Sequence, residues 1–330
     1  VRLGFHEQGV PFEGPMYALV TVEWVFFFAD LLLRHGGENL FETLPGLARL
    51  PDAFRNLQLP GDIGLFGFND CRQLITQIRM PWLLLTARHY HRPQDRRFWE
   101  HLCGSVLQPN PSASGSETAM KFSDKDAGIL RPGLLDLLWW EEPSAPESPL
   151  PPPPPIFVGH GCGVALLRTS PDPDAVCVQI QAQGRSHHIL DHTHGDAGHF
   201  SIFAHGDYLA YDTAYFNMDE TTHSVVLIDH QPHFKHTQGI YYSGRFSAVR
   251  SESDWLDYLC VDAASAKGCI WADRHLLFLR GEGDEESCLL IYDNINRDNA
   301  NHGFQWQLQG HLDSAIAVTG SDSARVSGKK

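Results

Sequence analysis

Two periods of hydrophobicity divide the chain. Residues 16–34 (MYALVTVEWVFFFADLLLR) are almost continuously apolar, broken by Glu23, Asp30 and Arg34. Those charges fall on one stripe of a helix, which predicts a helix buried everywhere else. Gly14-Pro15 in front and Gly36-Gly37 behind supply its start and stop signals. The same charges argue against a transmembrane span. Further helical patterns lie near 40–48, 51–58, 71–79 and 95–106, so the region up to 106 reads as all-helical.

From 157 onward the period is two. In AVCVQIQAQ, residues Val176, Val178, Ile180 and Ala182 share one face and glutamines occupy the other. HFSIFAHGDYLAYDTAY, with a turn at His205-Gly206-Asp207, comes next, then HSVVLID, RHLLFLRG, CLLIYDN and GFQWQLQGH. Short runs between turn signals indicate an antiparallel sandwich. Residues 107–156 between the two regimes are small and polar and end in five consecutive prolines, the composition of a stiff connector. A short helical piece in it, LLDLLWW, is expected to pack on a neighbouring domain. The predicted fold class is α+β multidomain: helical residues 1–106, a Pro-rich linker at 107–156, and an antiparallel β-sandwich at 157–330.

Composition narrows the function classes. A net charge of −15 disfavours broad nucleic-acid binding or docking on an anionic membrane. It does not exclude a polyanionic sugar, because a local pocket can be basic on an acidic molecule. The 7 cysteines show no CxxC spacing, and an odd number cannot pair completely within one chain. No GxSxG elbow, P-loop or GxGxxG fingerprint occurs. The chain opens on Val1 in what reads as mid-domain sequence, so it is expected to be a fragment, and the question of a signal peptide stays open.

Chemistry concentrates in Asp191-His192-Thr193-His194-Gly195-Asp196-Ala197-Gly198-His199-Phe200. Two histidines separated by one residue in a strand point the same way, so His192 and His194 are expected to converge. With Asp212 and His223 they offer the nitrogen and oxygen ligands that zinc or another divalent ion takes. Asp196 is a candidate outer carboxylate to fix an imidazole tautomer. Against this stands the number of histidines, 19, enough for an HxH of merely packed rings to arise by chance. A cupin uses an HxH too, but its following Glu is replaced here by residues of the run Gly195 to His199. Tyr17, in Glu13-Gly14-Pro15-Met16-Tyr17, reads by itself as a core aromatic near two polar residues, His6 and Glu7. Arg185, His187 and His188 either line a positive pocket or sit on an exposed strand edge.

Taken together these strings resemble the heparinase II/III-like polysaccharide lyases. HHILDHTHGDAGHF matches that family's H-x-H-x-D-x-G-x-F pattern, and FAHGDYLAYDTAYF its following hairpin. THSVVLIDH resembles its His-led strand, and FEGPMY its EG-x-x-Y segment. GCGVALLR, the run from Asp273-Arg274-His275 to Asp293, and Phe304 to His311 resemble its remaining strands. The resemblance implies the end of an α/α toroid followed by a β-sandwich, with a cleft between them. It implies β-elimination on uronic-acid polysaccharides such as heparan sulfate, hyaluronan or alginate. Tyr17 would be general acid and base and His192 the second base, while His194, Asp212 and His223 would hold a mainly structural zinc. Export to the periplasm or medium is expected of such enzymes. Ser224 departs from the usual Asn after the His, which leaves His230, His233 and His236 as rival ligands, and Tyr215 is the nearest match to an additional tyrosine of alginate-type relatives. The family's carboxylate-neutralising Asn or His lies upstream of EG-x-x-Y, so this piece alone is expected to be weakly active or inactive. A non-catalytic carbohydrate-binding relative with a structural metal is the alternative.

Overall fold

The computed structural model describes residues 5, 8–62, 64–71, 74–75, 80–107, 133–142, 150–182, 192, 194–212, 219–232, 244–281, 286–311 and 314–328. His6, Glu7, Arg185, His187, His188, Tyr215, His233 and His236 lie outside them.

The helical part contains α1 (Pro15–Arg34), α2 (Leu40–Thr43), α3 (Leu50–Asn56), α4 (Leu83–His89), α5 (Pro93–Leu107) and α6 (Leu134–Trp139). Pro15 suits the first turn of α1, where an N–H would have no partner. That helix is long and apolar enough to cross a membrane, by length and composition only. It is not buried all round: Ala18, Val22, Phe26 and Ala29 enter the core, whereas Val20, Trp24, Phe28 and Leu31 are exposed. The polar stripe is also not a solvent face throughout. Asp30 is buried, pairs with Arg34 and accepts the indole N–H of Trp139 on α6 at 3.0 Å. Through Trp139 the LLDLLWW piece docks on α1, and Trp99 Nε1 donates to Asp136 at 2.8 Å to tie it to α5.

Helix does not cover the whole of this region. A short antiparallel pair, β1 (Leu65–Phe66) with β2 (Leu74–Ile75), stands where the 71–79 pattern predicts helix. Backbone pairing with β1, together with the β-branched Ile75, overrides a periodicity only a few residues long. Leu83–His89, which that pattern missed, is helical instead.

The β part opens with a five-stranded antiparallel sheet, β3 (Ile156–Gly159), β4 (Val164–Arg168), β5 (Cys177–Gln181), β6 (Phe200–Ala204) and β7 (Asp207–Ala210), in that order. Later come β8 (Val226–Ile228), β9 (Arg245–Ser253), β10 (Leu256–Asp262), helix α7 (Ala264–Lys267), β11 (Trp271–Leu279), β12 (Cys288–Asn296), β13 (Phe304–Trp306), β14 (Ala315–Val318) and β15 (Ala324–Ser327). Strands β12-β11-β10-β9 form a second antiparallel sheet, and β8 pairs with β13. The β6–β7 turn falls on His205 and Gly206, both at positive φ (51° and 82°), as a two-residue hairpin turn requires. Hairpin β9–β10 is absent from the sequence reading, because β9 interleaves its apolar residues with Arg, Ser and Glu.

Layering explains an unexpected burial. Val178, Ile180 and Ala182 pack against Leu259, Val261, Leu276 and Phe278 of the second sheet. The opposite face of the first sheet, with Val164, Leu166, Cys177 and Phe203, shares one core with Phe54, Phe66, Trp82 and other helical residues. Gln179 and Gln181, on that same face, are therefore buried rather than solvated. The first sheet is a middle layer, and its edge facing the helices carries the site.

Candidate active site and metal centre

Five segments meet at this edge: the entry to α1, the loop 67–71, the segment 192–199, Tyr211-Asp212 after β7, and the stretch Asp219 to Ser224. Gly14, in the first, has φ +88, and an added Cβ would lie 2.2 Å from the carbonyl oxygen of Phe68. Only glycine permits this approach of the EG-x-x-Y segment to the loop. In the loop, Asn69 adopts a left-handed conformation (φ 58°) and works in two directions. Its Nδ2 donates to Phe12 O at 2.8 Å, and its Oδ1 accepts His194 N–H at 3.3 Å. The N–H of Asp70 donates to His192 O at 3.1 Å. The helical and β parts are thus bonded backbone to backbone beside the two histidines.

The HxH segment is not a strand among the described residues; β6 starts only at Phe200. His199 N–H closes a turn on Asp196 O at 2.7 Å, and Gly198 takes φ +90. Instead of converging, the two histidines serve two places. His192 stacks on Tyr17, with ring centroids 3.8 Å apart and an interplanar angle of 18°. Its Nδ1 lies 3.2 Å from Glu13 Oε1, and both side chains keep about a quarter of their surface open, 28% and 26%. Tyr17 is likewise half-buried rather than core. With Nδ1–H donated to the carboxylate, Nε2 of His192 is the nitrogen left with a lone pair.

His194 is fully buried and joins Asp212 and His223, their ligand atoms all within 4.8 Å of one another. His194 Nδ1 is 3.2 Å from His223 Nε2, and Asp212 Oδ1 is 3.4 Å from His223 Nε2 and 3.9 Å from His194 Nδ1. Two ligands about 2.0–2.1 Å from a tetrahedral ion are about 3.3–3.4 Å apart, so two of these edges suit zinc closely. The outer bonds decide the tautomers. His194 Nε2–H donates to Asp70 Oδ1 at 2.9 Å, and His223 Nδ1–H donates to Asp219 O at 2.8 Å. The remaining nitrogens, His194 Nδ1 and His223 Nε2, face Asp212 Oδ1 and each other, an arrangement that a cation, whether a proton or a metal ion, stabilises. Burial lowers the pKa of His223, but Asp212 beside it prevails and raises it to about 9. Asp212 itself resists burial through His223 and is held well below the usual carboxylate range. The residues fit a divalent ion.

Asp196 does not fix an imidazole: both its oxygens are buried without a hydrogen-bond partner. Asp70 does that work, and no sequence signal marked it, because it lies 124 residues from His194. His199 is kept neutral, its pKa pushed down to about 3 by burial. It accepts Ser224 N–H at 2.9 Å and meets Ser201 Oγ at 3.1 Å. Ser224, the departure from the Asn that the resemblance leads one to expect, is buried and also accepts Gln309 N–H on its hydroxyl at 3.1 Å. Arg274, on β11, bonds Gly198 O at 2.6 Å and Ser224 O at 2.8 Å while paired with Asp293 at 2.7 Å. It clamps two of the three segments that carry the triad, those of His194 and His223. Of the rival ligands, His230 is exposed and bonded to Gln305.

No protein-family model and no curated protein matches the chain. Solved structures do. Heparan sulfate lyase HepC from Pedobacter heparinus superposes at a TM-score of 0.60 with 16% identity, over 96% of this chain and 43% of its own. A heparinase III gene product gives a TM-score of 0.56 with 16% identity, over 96% and 42%. Another heparinase III gives 0.56 with 11% identity, over 97% and 44%. The chain thus spans less than half the length of these lyases. At such identities the likeness is one of architecture, and over nearly all of its length the chain has the fold of part of the heparinase III-type structures.

Proposed function

We propose that this chain is the catalytic-residue-bearing part of a polysaccharide lyase that cleaves uronic-acid polysaccharides by β-elimination. The observation that carries the reading is the Tyr17–His192 stack at 3.8 Å, half-open and anchored beside a buried His–Asp–His cluster. The named lyases of like fold support an acidic polysaccharide, heparan sulfate before hyaluronan or alginate. In this reading the helices are the end of an α/α toroid and residues 107–156 connect them to the sandwich.

The chemistry asks for removal of a weakly acidic C5 proton and departure of the O4 oxygen. A base takes the C5 proton, the C5–H electrons form the C4=C5 double bond, the C4–O4 bond breaks, and an acid protonates O4. Tyr17 serves as acid and base; its phenol, ordinarily near 10, gives up its proton more readily where positive charge or donors are close. His192 is the second base through Nε2, with Glu13 holding Nδ1–H. Stacking of the two rings, worth about 0.5–1.5 kcal/mol, fixes them side by side. His194, Asp212 and His223 would hold zinc, which when bound fastens the three segments together.

Incubating the protein with heparan sulfate, hyaluronan and alginate and following the absorbance of the unsaturated product tests the reading. Turnover by the full-length protein on one of them, lost in Tyr17→Phe and weak or absent in the 330-residue piece alone, is the expected result. Binding of the polymer with no double bond formed, in wild type and full-length protein alike, would leave a carbohydrate-binding protein.

A further inference from the structure

The triad region holds more negative charge than three ligands need. Asp70, Asp196 and Asp212 are 3%, 1% and 6% exposed. Asp212 faces the two imidazole lone pairs, and Asp70 accepts from His194. Asp196 has no such employment. It sits two residues after His194, in the turn closed by His199 N–H on its own carbonyl, and its two carboxylate oxygens find no donor. A buried carboxylate whose oxygens have no hydrogen-bond partner from another residue is among the costlier groups a fold can carry. Among the described residues, Arg274 reaches this turn but spends its donors on Gly198 O, Ser224 O and Asp293. A divalent ion among these carboxylates offsets two negative charges. Asp196 stands outside the set of atoms lying within 4.8 Å of one another, so its place is outside the direct ligands.

We propose that Asp196 belongs to the metal centre as its outer carboxylate, balancing the charge of the ion and accepting from the water at the coordination position that the three side chains leave open. This rests on the metal reading above and extends it. The consequence is a reversal of sign. Without the ion, Asp196 is a burden that its amide isostere relieves. With the ion, the carboxylate strengthens binding.

The test loads the 330-residue chain with Zn2+ alone and measures affinity by chelator competition and melting temperature with and without metal. Asp196→Asn is expected to weaken Zn2+ by about 10–100-fold, the range for outer partners of metal ligands. Stripped of metal, the variant should melt no lower than stripped wild type, so that the melting shift on adding Zn2+ shrinks. Unchanged affinity in Asp196→Asn overturns the inference, as does an equal loss of stability with and without metal, which marks a purely structural residue. Should the Asn variant not fold, Asp196→Ser is read by the same two quantities. Failure of wild type to take up Zn2+ overturns the metal reading itself, a result distinct from wild-type uptake that the variant leaves untouched.

Discussion

His192 and His194 are two residues apart, yet one ring is 28% exposed and the other 0%. The first leans on a tyrosine and a glutamate that face solvent; the second is enclosed by two carboxylates and another imidazole. One short segment serves both because His192 and His194 lie outside any described strand, so the regular alternation that would have sent the rings the same way does not apply. Chemistry on a polymer needs an open edge, whereas an ion used as a fastener is best placed out of water. Loop 67–71 bonds to both, through Asp70 N–H on His192 O and Asp70 Oδ1 on His194 Nε2, so that the enclosed place fixes the position of the open one.

Variants of the two places should therefore fail differently. Tyr17→Phe in the full-length protein should cut kcat by about 10²–10⁴-fold, the worth of a general acid–base group. Its melting temperature should barely move, since the ring remains; a kcat within tenfold of wild type would remove Tyr17 from the mechanism. His194→Ala should do the opposite first, abolishing metal uptake and costing about 3–5 kcal/mol in denaturant melts, because Asp70 stays buried without the imidazole that donates to it. Equal stability and metal content in this variant would dissolve the distinction. Asp70→Asn is gentler. It keeps the side chain's shape but weakens the bond that fixes His194, and Zn2+ affinity should fall about 10–100-fold by chelator competition.

What could be read beforehand follows from range along the chain. The members of the triad were legible as candidate ligands, with His192 among them, because they sit in strongly patterned runs between 194 and 223; only the resemblance set His192 apart. Tyr17 became legible only by resemblance, since a first-turn aromatic looks like core. Asn69 and Asp70 were not legible: GFND reads as a turn, and its partners lie at Phe12, His192 and His194. Arg274, 76 residues from Gly198, was hidden for the same reason. In the fold, long patterned strands survived the reading, while the 71–79 helix lost to pairing with β1 and the glutamine face of β5 was buried by a third layer.

The smallest expected effect probes the open place most finely. Glu13 touches no metal ligand in its bond to His192, and both partners are partly solvated, so the bond contributes modestly to stability. Its use lies in orientation: the carboxylate keeps the proton on Nδ1 and turns Nε2 outward. Glu13→Gln retains the length and an acceptor oxygen but loses the charge, and about a tenfold fall in kcat is expected, the effect of roughly 1.4 kcal/mol from weakening one charge-assisted bond. Metal content and melting temperature should stay at wild-type values. A matching fall in zinc content would mean that the two places are one unit, and that the enclosed centre, not the tyrosine–histidine pair, sets the rate.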